Sequence, residues 1–165
     1  KRPVGGSWRM DETYIKVKGV WKYLYRAVDK EGKTVDFLLT AQRDKAAAVR
    51  FFDKAMKASG VPEKVTLDKS SANKAAMDEI NARGEMPIIV RQIKYLNNIV
   101  EQDHRAIKRV TKPMLNFKSF RAAKNVLAGI ELMHMIRKGQ LLLEGGIKLS
   151  FADQFYVLSG QIRPV

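Results

Sequence analysis

From Ser7 to Leu39, aromatic and β-branched residues alternate with polar ones, broken by turn residues at Lys18-Gly19 and at Asp29-Lys30-Glu31-Gly32-Lys33. A period of two sends successive side chains to opposite faces of a strand, and breaks this short join antiparallel neighbours. The segment predicts a three-strand meander at about residues 8–17, 21–28 and 34–39. Beyond Asp44 the period changes. Val49, Phe52 and Met56 recur at helical spacing, and Gly60 with Pro62 supplies the stop. A short strand is expected at residues 64–68, then a helix capped by Ser70 or Ser71, running to about residue 82 and ended by Arg83-Gly84. Residues 88–90 read as a fifth strand. Two helices follow, at about residues 98–110 and 119–137, the second with Phe120, Ala123, Leu127, Ile130 and His134 on one side; Gly139 and Gly145-Gly146 close the region.

A strand-helix-strand connection has to cross over, which makes its two strands parallel. The order therefore predicts an α/β fold, a mixed five-stranded sheet in which the meander is joined by two parallel strands and flanked by helices. The 165 residues suffice for one domain with a real core. Residues 1–6, which start at Lys1 and have little to bury, read as a leader or the remnant of a linker. Residues 7–140 form the domain, and residues 141–165 are a tail without an assigned role.

Lys and Arg number 31 against 17 Asp and Glu, a net charge of +14, and they are spread along the chain rather than gathered in a tail. A folded, positively charged face implies a polyanionic partner, nucleic acid ahead of an acidic membrane surface. The absence of cysteine excludes disulfides and cysteine-ligated zinc and agrees with a reducing cytoplasm. No apolar run has membrane-spanning length, and no secretory pattern opens the chain, so the expectation is a soluble intracellular protein without membrane attachment.

Against this basic background three carboxylates stand out. Asp11 lies in the first strand, Asp68 ends the fourth, and Glu101 is in the first turn of a helix. Alternation puts Asp11 on one face with Thr13 and turns Glu12 the other way. If the first and fourth strands are neighbours, Asp11 and Asp68 meet across the sheet, at the strand end where open α/β sheets hold ligands. Hard oxygen donors favour magnesium or manganese, and two such ions roughly 3.5–4 Å apart serve phosphodiester chemistry. Each residue also has a plain structural reading: Asp11 as a solvated strand residue, Asp68 as a loop or cap aspartate, Glu101 as the capping-box partner of Asn98. His104, Arg105 and Lys108 fall on the side of Glu101. His104 has no second histidine nearby and reads as phosphate-facing rather than metal-ligating; His134 reads as a core residue. Trp8, Trp21, Tyr23 and Tyr25 offer rings for base stacking or, for most of them, for sheet packing.

Three blocks carry a resemblance: Trp8-Arg9-Met10-Asp11-Glu12-Thr13-Tyr14-Ile15-Lys16-Val17-Lys18-Gly19 with Trp21-Lys22-Tyr23-Leu24-Tyr25-Arg26-Ala27-Val28-Asp29, then Asp68-Lys69-Ser70-Ser71-Ala72-Asn73, then residues 91–105, which contain Lys94 and Asn98-Ile99-Val100-Glu101-Gln102-Asp103-His104-Arg105. In this order they resemble the catalytic core of DDE-type transposases of bacterial insertion sequences, the insertion-sequence-six group. The resemblance implies a ribonuclease-H-like fold shared with retroviral integrases. It makes Asp11, Asp68 and Glu101 the catalytic, metal-binding triad for two magnesium ions, with manganese able to substitute. Lys108 matches the family's basic residue at DNA ends, and Arg105, His104, Lys69 and Lys94 join it as expected DNA contacts. The implied function is hydrolysis at transposon ends followed by strand transfer of the 3′-hydroxyl into target DNA. A homodimer or larger assembly on DNA, in the bacterial cytoplasm at the nucleoid, goes with it. Two alternatives stand beside this: a ribonuclease-H-like nuclease without joining activity, and an inactive transposase-derived DNA-binding fragment.

Overall fold

The first hairpin closes on the two residues expected of it. Val17 pairs with Val20, and the intervening Lys18 and Gly19 both take positive φ, 49° and 75°. That is the type I′ backbone, whose twist matches the flanking strands and which glycine adopts without strain. In the computed structural model, which describes residues 3–141 and 149–158, this hairpin consists of β1 (Ser7–Val17) and β2 (Val20–Asp29), and β3 (Thr34–Thr40) completes the meander. Asp29 organises the second turn: its Oδ1 accepts from the backbone N–H groups of Glu31 and Lys33, both at 2.9 Å, and its Oδ2 accepts from Gly5 at 3.0 Å.

The helices begin where capping residues allow. Asp44 accepts from the Ala47 N–H at 2.8 Å and opens α1 (Lys45–Ser59); Ser70 accepts from Asn73 at 3.4 Å and opens α2 (Ser71–Arg83); Ser119 accepts from Ala122 at 3.0 Å and opens α4 (Phe120–Arg137). Between α2 and α4 lie β5 (Ile89–Arg91), a 3-10 turn at Lys94–Asn97 and α3 (Asn98–Thr111). A last helix, α5, spans Phe151–Leu158; the expected stop at Gly145-Gly146 lies outside the described residues, as does most of the tail.

The sheet order is β3-β2-β1-β4-β5, with β4 at Lys64–Thr66. The meander pairs are antiparallel and the β1–β4 and β4–β5 pairs parallel. Trp8 and Met10 of β1 face one layer, α1 and α2, in a core with Phe51, Phe52 and Met77. Ile15 and Val17, of opposite parity, face α3 and α4 in a second core with Ile107 and Leu127. Trp8 and Tyr25 are thus buried packing residues, whereas Trp21 stays 54% exposed. The fourth strand ends two residues earlier than the sequence pattern predicts. Leu67 still donates to the Arg91 carbonyl at 2.8 Å, but Asp68 turns back so that its Oδ1 accepts from the Ser70 N–H at 3.1 Å. From there on, β1 runs without β4 beside it.

Candidate active site

The register of β1 and β4 pairs Arg9 with Thr66, so two residues further along Asp11 comes abreast of Asp68. Because β4 has ended, this stretch of β1 is an open edge, and side chains of both parities reach round it. The carboxylate oxygens of Asp11, Glu12 and Asp68 all lie within 4.8 Å of one another, the one such group among the described residues. Glu12 does point to the opposite face, as alternation requires, yet its head returns to the cluster. Both its oxygens are held there: Oε1 accepts from Arg43 Nε at 2.5 Å and Oε2 from Asn73 Nδ2 at 2.9 Å. Asn73 also donates to Asp68 Oδ1 at 3.4 Å, so one buried amide ties two carboxylates together.

Glu101 stands outside that trio. It lines a cavity of about 270 Å³ with Asp68, Lys69, Gln92, Lys94 and Asn97, which puts two of the expected DNA contacts at the mouth of the site. The capping-box reading of Glu101 is not realised. α3 starts at Asn98 after Asn97, and no side chain caps it; Asn97 instead donates to the Met10 carbonyl at 3.4 Å, joining the helix start to β1. Arg105 is exposed and Lys108 half-buried on α3.

His104 takes a different place from the one expected. It is buried, 6% exposed, with Nε2 3.6 Å from Asp11 Oδ2, and so cannot face a phosphate. The reason is helical: with Ile107 it forms the stripe of α3 that packs on the sheet. Burial, reinforced by Arg26, pushes its pKa down to about 3, so the ring is neutral and the contact is no ion pair. Asp11 shifts the other way. Burial first, then the charges of Glu12, Asp68 and Glu101, raise its pKa from 3.8 to about 7.

The family model for the IS240-type DDE domain matches residues 5–140. The chain belongs to the DDE domain family of transposases. It is 47% identical over 134 residues, 80% of its length, to the Staphylococcus aureus (strain Mu50) transposase for the insertion sequence-like element IS431mec. The same figures hold for the transposase of insertion sequence element IS257 in transposon Tn4003 of that species. The chain spans 58% of the length of each of these relatives. In fold it is similar to the HTLV-2 integrase catalytic core domain solved in complex with magnesium, with a TM-score of 0.60 at 15% identity over 93% of this chain and 98% of that one. A chain of the simian T-cell lymphotropic virus intasome bound to a PP2A regulatory subunit gives 0.58 at 15% identity, covering 87% and 52% of the two chains. The ribonuclease-H-like fold expected from the three blocks is therefore the observed one. No helix among the described residues is long and apolar enough to cross a membrane.

Behind the acidic edge, the DDE domain carries a buried ion cluster that sequence reasoning missed. Arg26 pairs in register with Asp11 and is fully buried. Its guanidinium binds Asp103 at 3.0 Å and Glu131, joining β2 to α3 and α4. Lys138 donates to Asp103 at 2.5 Å and to Thr34 Oγ1 at 3.0 Å. His134, read as a satisfied core residue on the apolar side of its helix, turns toward this cluster, with Nε2 3.5 Å from Asp103 Oδ1. The helix pattern hid the arrangement: Glu131 occupies a buried position of α4 where an apolar residue would be usual.

Proposed function

We propose that this DDE domain carries out the phosphodiester chemistry of transposition. It hydrolyses a strand at the transposon end and joins the freed 3′-hydroxyl to target DNA, with two magnesium ions held by Asp11, Asp68 and Glu101. The observation that carries the reading is the meeting of Asp11 and Asp68 where β1 loses its parallel neighbour, with Glu101 lining the same cavity as Asp68. The donor set fits divalent ions: hard oxygens crowd together, and the burial and like-charge repulsion that hold Asp11 near pKa 7 are what a bound cation offsets. When bound, such ions supply Lewis-acid charge for the attacking and leaving oxygens of an in-line displacement.

The chain's own residues set the stage. The Ser70 N–H and Asn73 fix the Asp68 carboxylate. Glu12, held by Arg43 and Asn73, acts as a positioning residue beside the triad. Neutral His104 walls off the Asp11 side from water. Lys69 and Lys94 at the cavity mouth, with Arg105 and Lys108 along α3, supply cations for the DNA backbone. DNA ends and target DNA are the substrates, and two copies acting on paired ends form the working assembly in the bacterial cytoplasm.

Strand transfer on DNA carrying the element's ends tests this. Asp11→Ala, Asp68→Ala and Glu101→Gln each abolish cleavage and joining while DNA binding persists. Undiminished joining in any one removes that residue from the site. Hydrolysis without joining by the unsubstituted protein turns the reading into that of a nuclease, and DNA binding indifferent to magnesium with no cleavage into that of a binding fragment.

A further inference from the structure

A second cavity, of about 250 Å³, opens where Lys108 and Lys112, at the far end of α3, face the distal half of β1. Seven residues separate Glu101 from Lys108, so at the helical rise this groove starts about 10 Å from the acidic edge along the same helix. Its walls include Ile15 and Phe117, both buried, and its rim carries Tyr14, Lys16 and Trp21. Tyr14 and Trp21 are 44% and 54% exposed. Their rings meet edge to face at 6.0 Å, and Lys16 Nζ sits 5.4 Å from the Trp21 centroid.

This rim is built, not loose. Lys18 N–H donates to the Phe117 carbonyl at 2.8 Å, Phe117 N–H to the Lys16 carbonyl at 3.1 Å, and Gly19 N–H to Asn116 Oδ1 at 3.2 Å. The hairpin tip is thereby clamped to the connector between α3 and α4, which holds Leu115 at a strained φ of 62°. Trp21 belongs to neither sheet core and packs at the rim against Tyr14 and Lys16. The groove's volume falls just short of the roughly 300–1,000 Å³ usual for whole drug-sized ligands, which suits a single ring.

We propose that this groove binds single-stranded DNA, with one unpaired base stacked on Trp21 and the neighbouring phosphates held by Lys16, Lys108 and Lys112. Exposed aromatic faces interleaved with cations are the physical requirements of single-strand binding, because every base offers a π-face and every phosphate a charge. A duplex keeps its base faces stacked and gains only the charge term. The assignment rests on reading the acidic edge as the centre of DNA chemistry: a strand leaving that edge along α3 runs into the groove.

Tryptophan fluorescence reads the groove directly, because the chain has two tryptophans and the other, Trp8, is 1% exposed. The whole chain is titrated with an oligothymidylate strand and with a duplex of equal length, in chelator so that no metal chemistry intervenes. The expected result is quenching by the single strand. Trp21→Ala weakens single-strand binding roughly 5- to 150-fold and duplex binding far less. Trp21→Phe keeps most of the affinity but loses the quench. Lys112→Glu, which leaves the rings untouched, lowers the slope of log affinity on log salt by about 0.7. Binding without quenching, Trp21→Ala affinity equal to wild type, or an equal loss on duplex overturns the proposal, as does equal quenching by an acidic peptide. Stacking without strand transfer leaves the groove standing and sinks the catalytic reading; strand transfer without stacking does the reverse.

Discussion

Two aspartates on the same side of the sheet have opposite fates. Asp11 and Asp103 keep side-chain exposures of only 19% and 11%, yet the pKa of one rises to about 7 and that of the other falls to about 2. Desolvation acts in the same direction on both, so the neighbours decide. Asp103 has the His134 ring, Lys138 and Arg26 to offset burial. Asp11 has Glu12, Asp68 and Glu101. Register pairs Asp11 directly with Arg26, but the guanidinium is committed to Asp103 and Glu131. The fold thus places a cluster of paired opposite charges beneath a cluster of like charges. The first holds α3 and α4 to the sheet; the second sets three carboxylates against one cation, Arg43, at an open edge, leaving the excess negative charge a cation site requires.

The comparison breaks first at Arg26. Arg26→Ala strands Glu131, which has no exposure, inside the protein, and removal of one partner from a buried pair costs about 3–5 kcal/mol. Urea unfolding at neutral pH measures it. A loss below about 1 kcal/mol would mean that the buried ions are not what ties the helices to the sheet.

The acidic edge responds with the opposite sign. Asp11 has a folded pKa raised from 3.8 to about 7, so its favourable contribution is complete below pH 3.8 and disappears as pH rises through about 7. Asp103, depressed to about 2, contributes above pH 3.8 and loses that only as pH falls through about 2. Between pH 4 and 6.5 two opposed contributions overlap: Asp11 loses stability as pH rises, whereas buried His104, lowered from 6.5 to about 3, gains it. Asp11→Asn removes the falling contribution, so across this window the metal-free stability of the variant rises with pH relative to the unsubstituted protein, by on the order of a few kcal/mol end to end. Magnesium raises the melting temperature of the unsubstituted protein more at pH 7.5 than at pH 5.5, because a ligand carboxylate has to give up its proton. Equal shifts at both pH values would remove Asp11 from the metal seat.

How much of this was legible beforehand follows from which rules act locally. The meander, the Lys18-Gly19 turn and a serine cap at Ser70 or Ser71 depend on neighbours in sequence, and residue type alone announces them. The parallel direction of β4 was readable from strand-helix-strand order, whereas its place beside β1, which brings Asp11 to Asp68, entered only as a condition. Glu12 was not. Alternation isolates the two faces of a strand only while partners flank it, and β4 stops three residues short of Glu12's level in the register. Asn73 stood in a quoted block without a role because its two carboxylate partners come from β1 and from the end of β4. For His104 the side of Glu101 was chosen over the packing stripe it shares with Ile107, and one turn of α3 contains both.

His104 gives a finer test. Among the described residues no side chain makes a close hydrogen bond to either ring nitrogen, Nε2 lying 3.6 Å from Asp11 Oδ2, so the fold gains little from their polarity. His104→Phe changes stability by less than about 1.5 kcal/mol, since an apolar ring of similar shape replaces an unsatisfied one. If His104 positions Asp11, the same variant loses roughly tenfold or more of magnesium affinity, read from the thermal shift. An unaltered magnesium response confines His104 to packing.

The smallest effect calibrates the rest. Lys74 and Asp78 pair at 3.0 Å one turn apart on α2, with more than half of each side chain in water. Their separation matches that of Arg26 and Asp103 at 3.0 Å, but the medium differs. Water screens the exposed charges and costs neither ion its hydration, so Lys74→Ala shifts unfolding free energy by about 0.3–0.5 kcal/mol. High salt erases that difference and leaves the Arg26 penalty largely intact, because screening does not reach the buried cluster. If both variants lost their effect alike in salt, burial would not be what separates the Arg26 pair from the Lys74 pair.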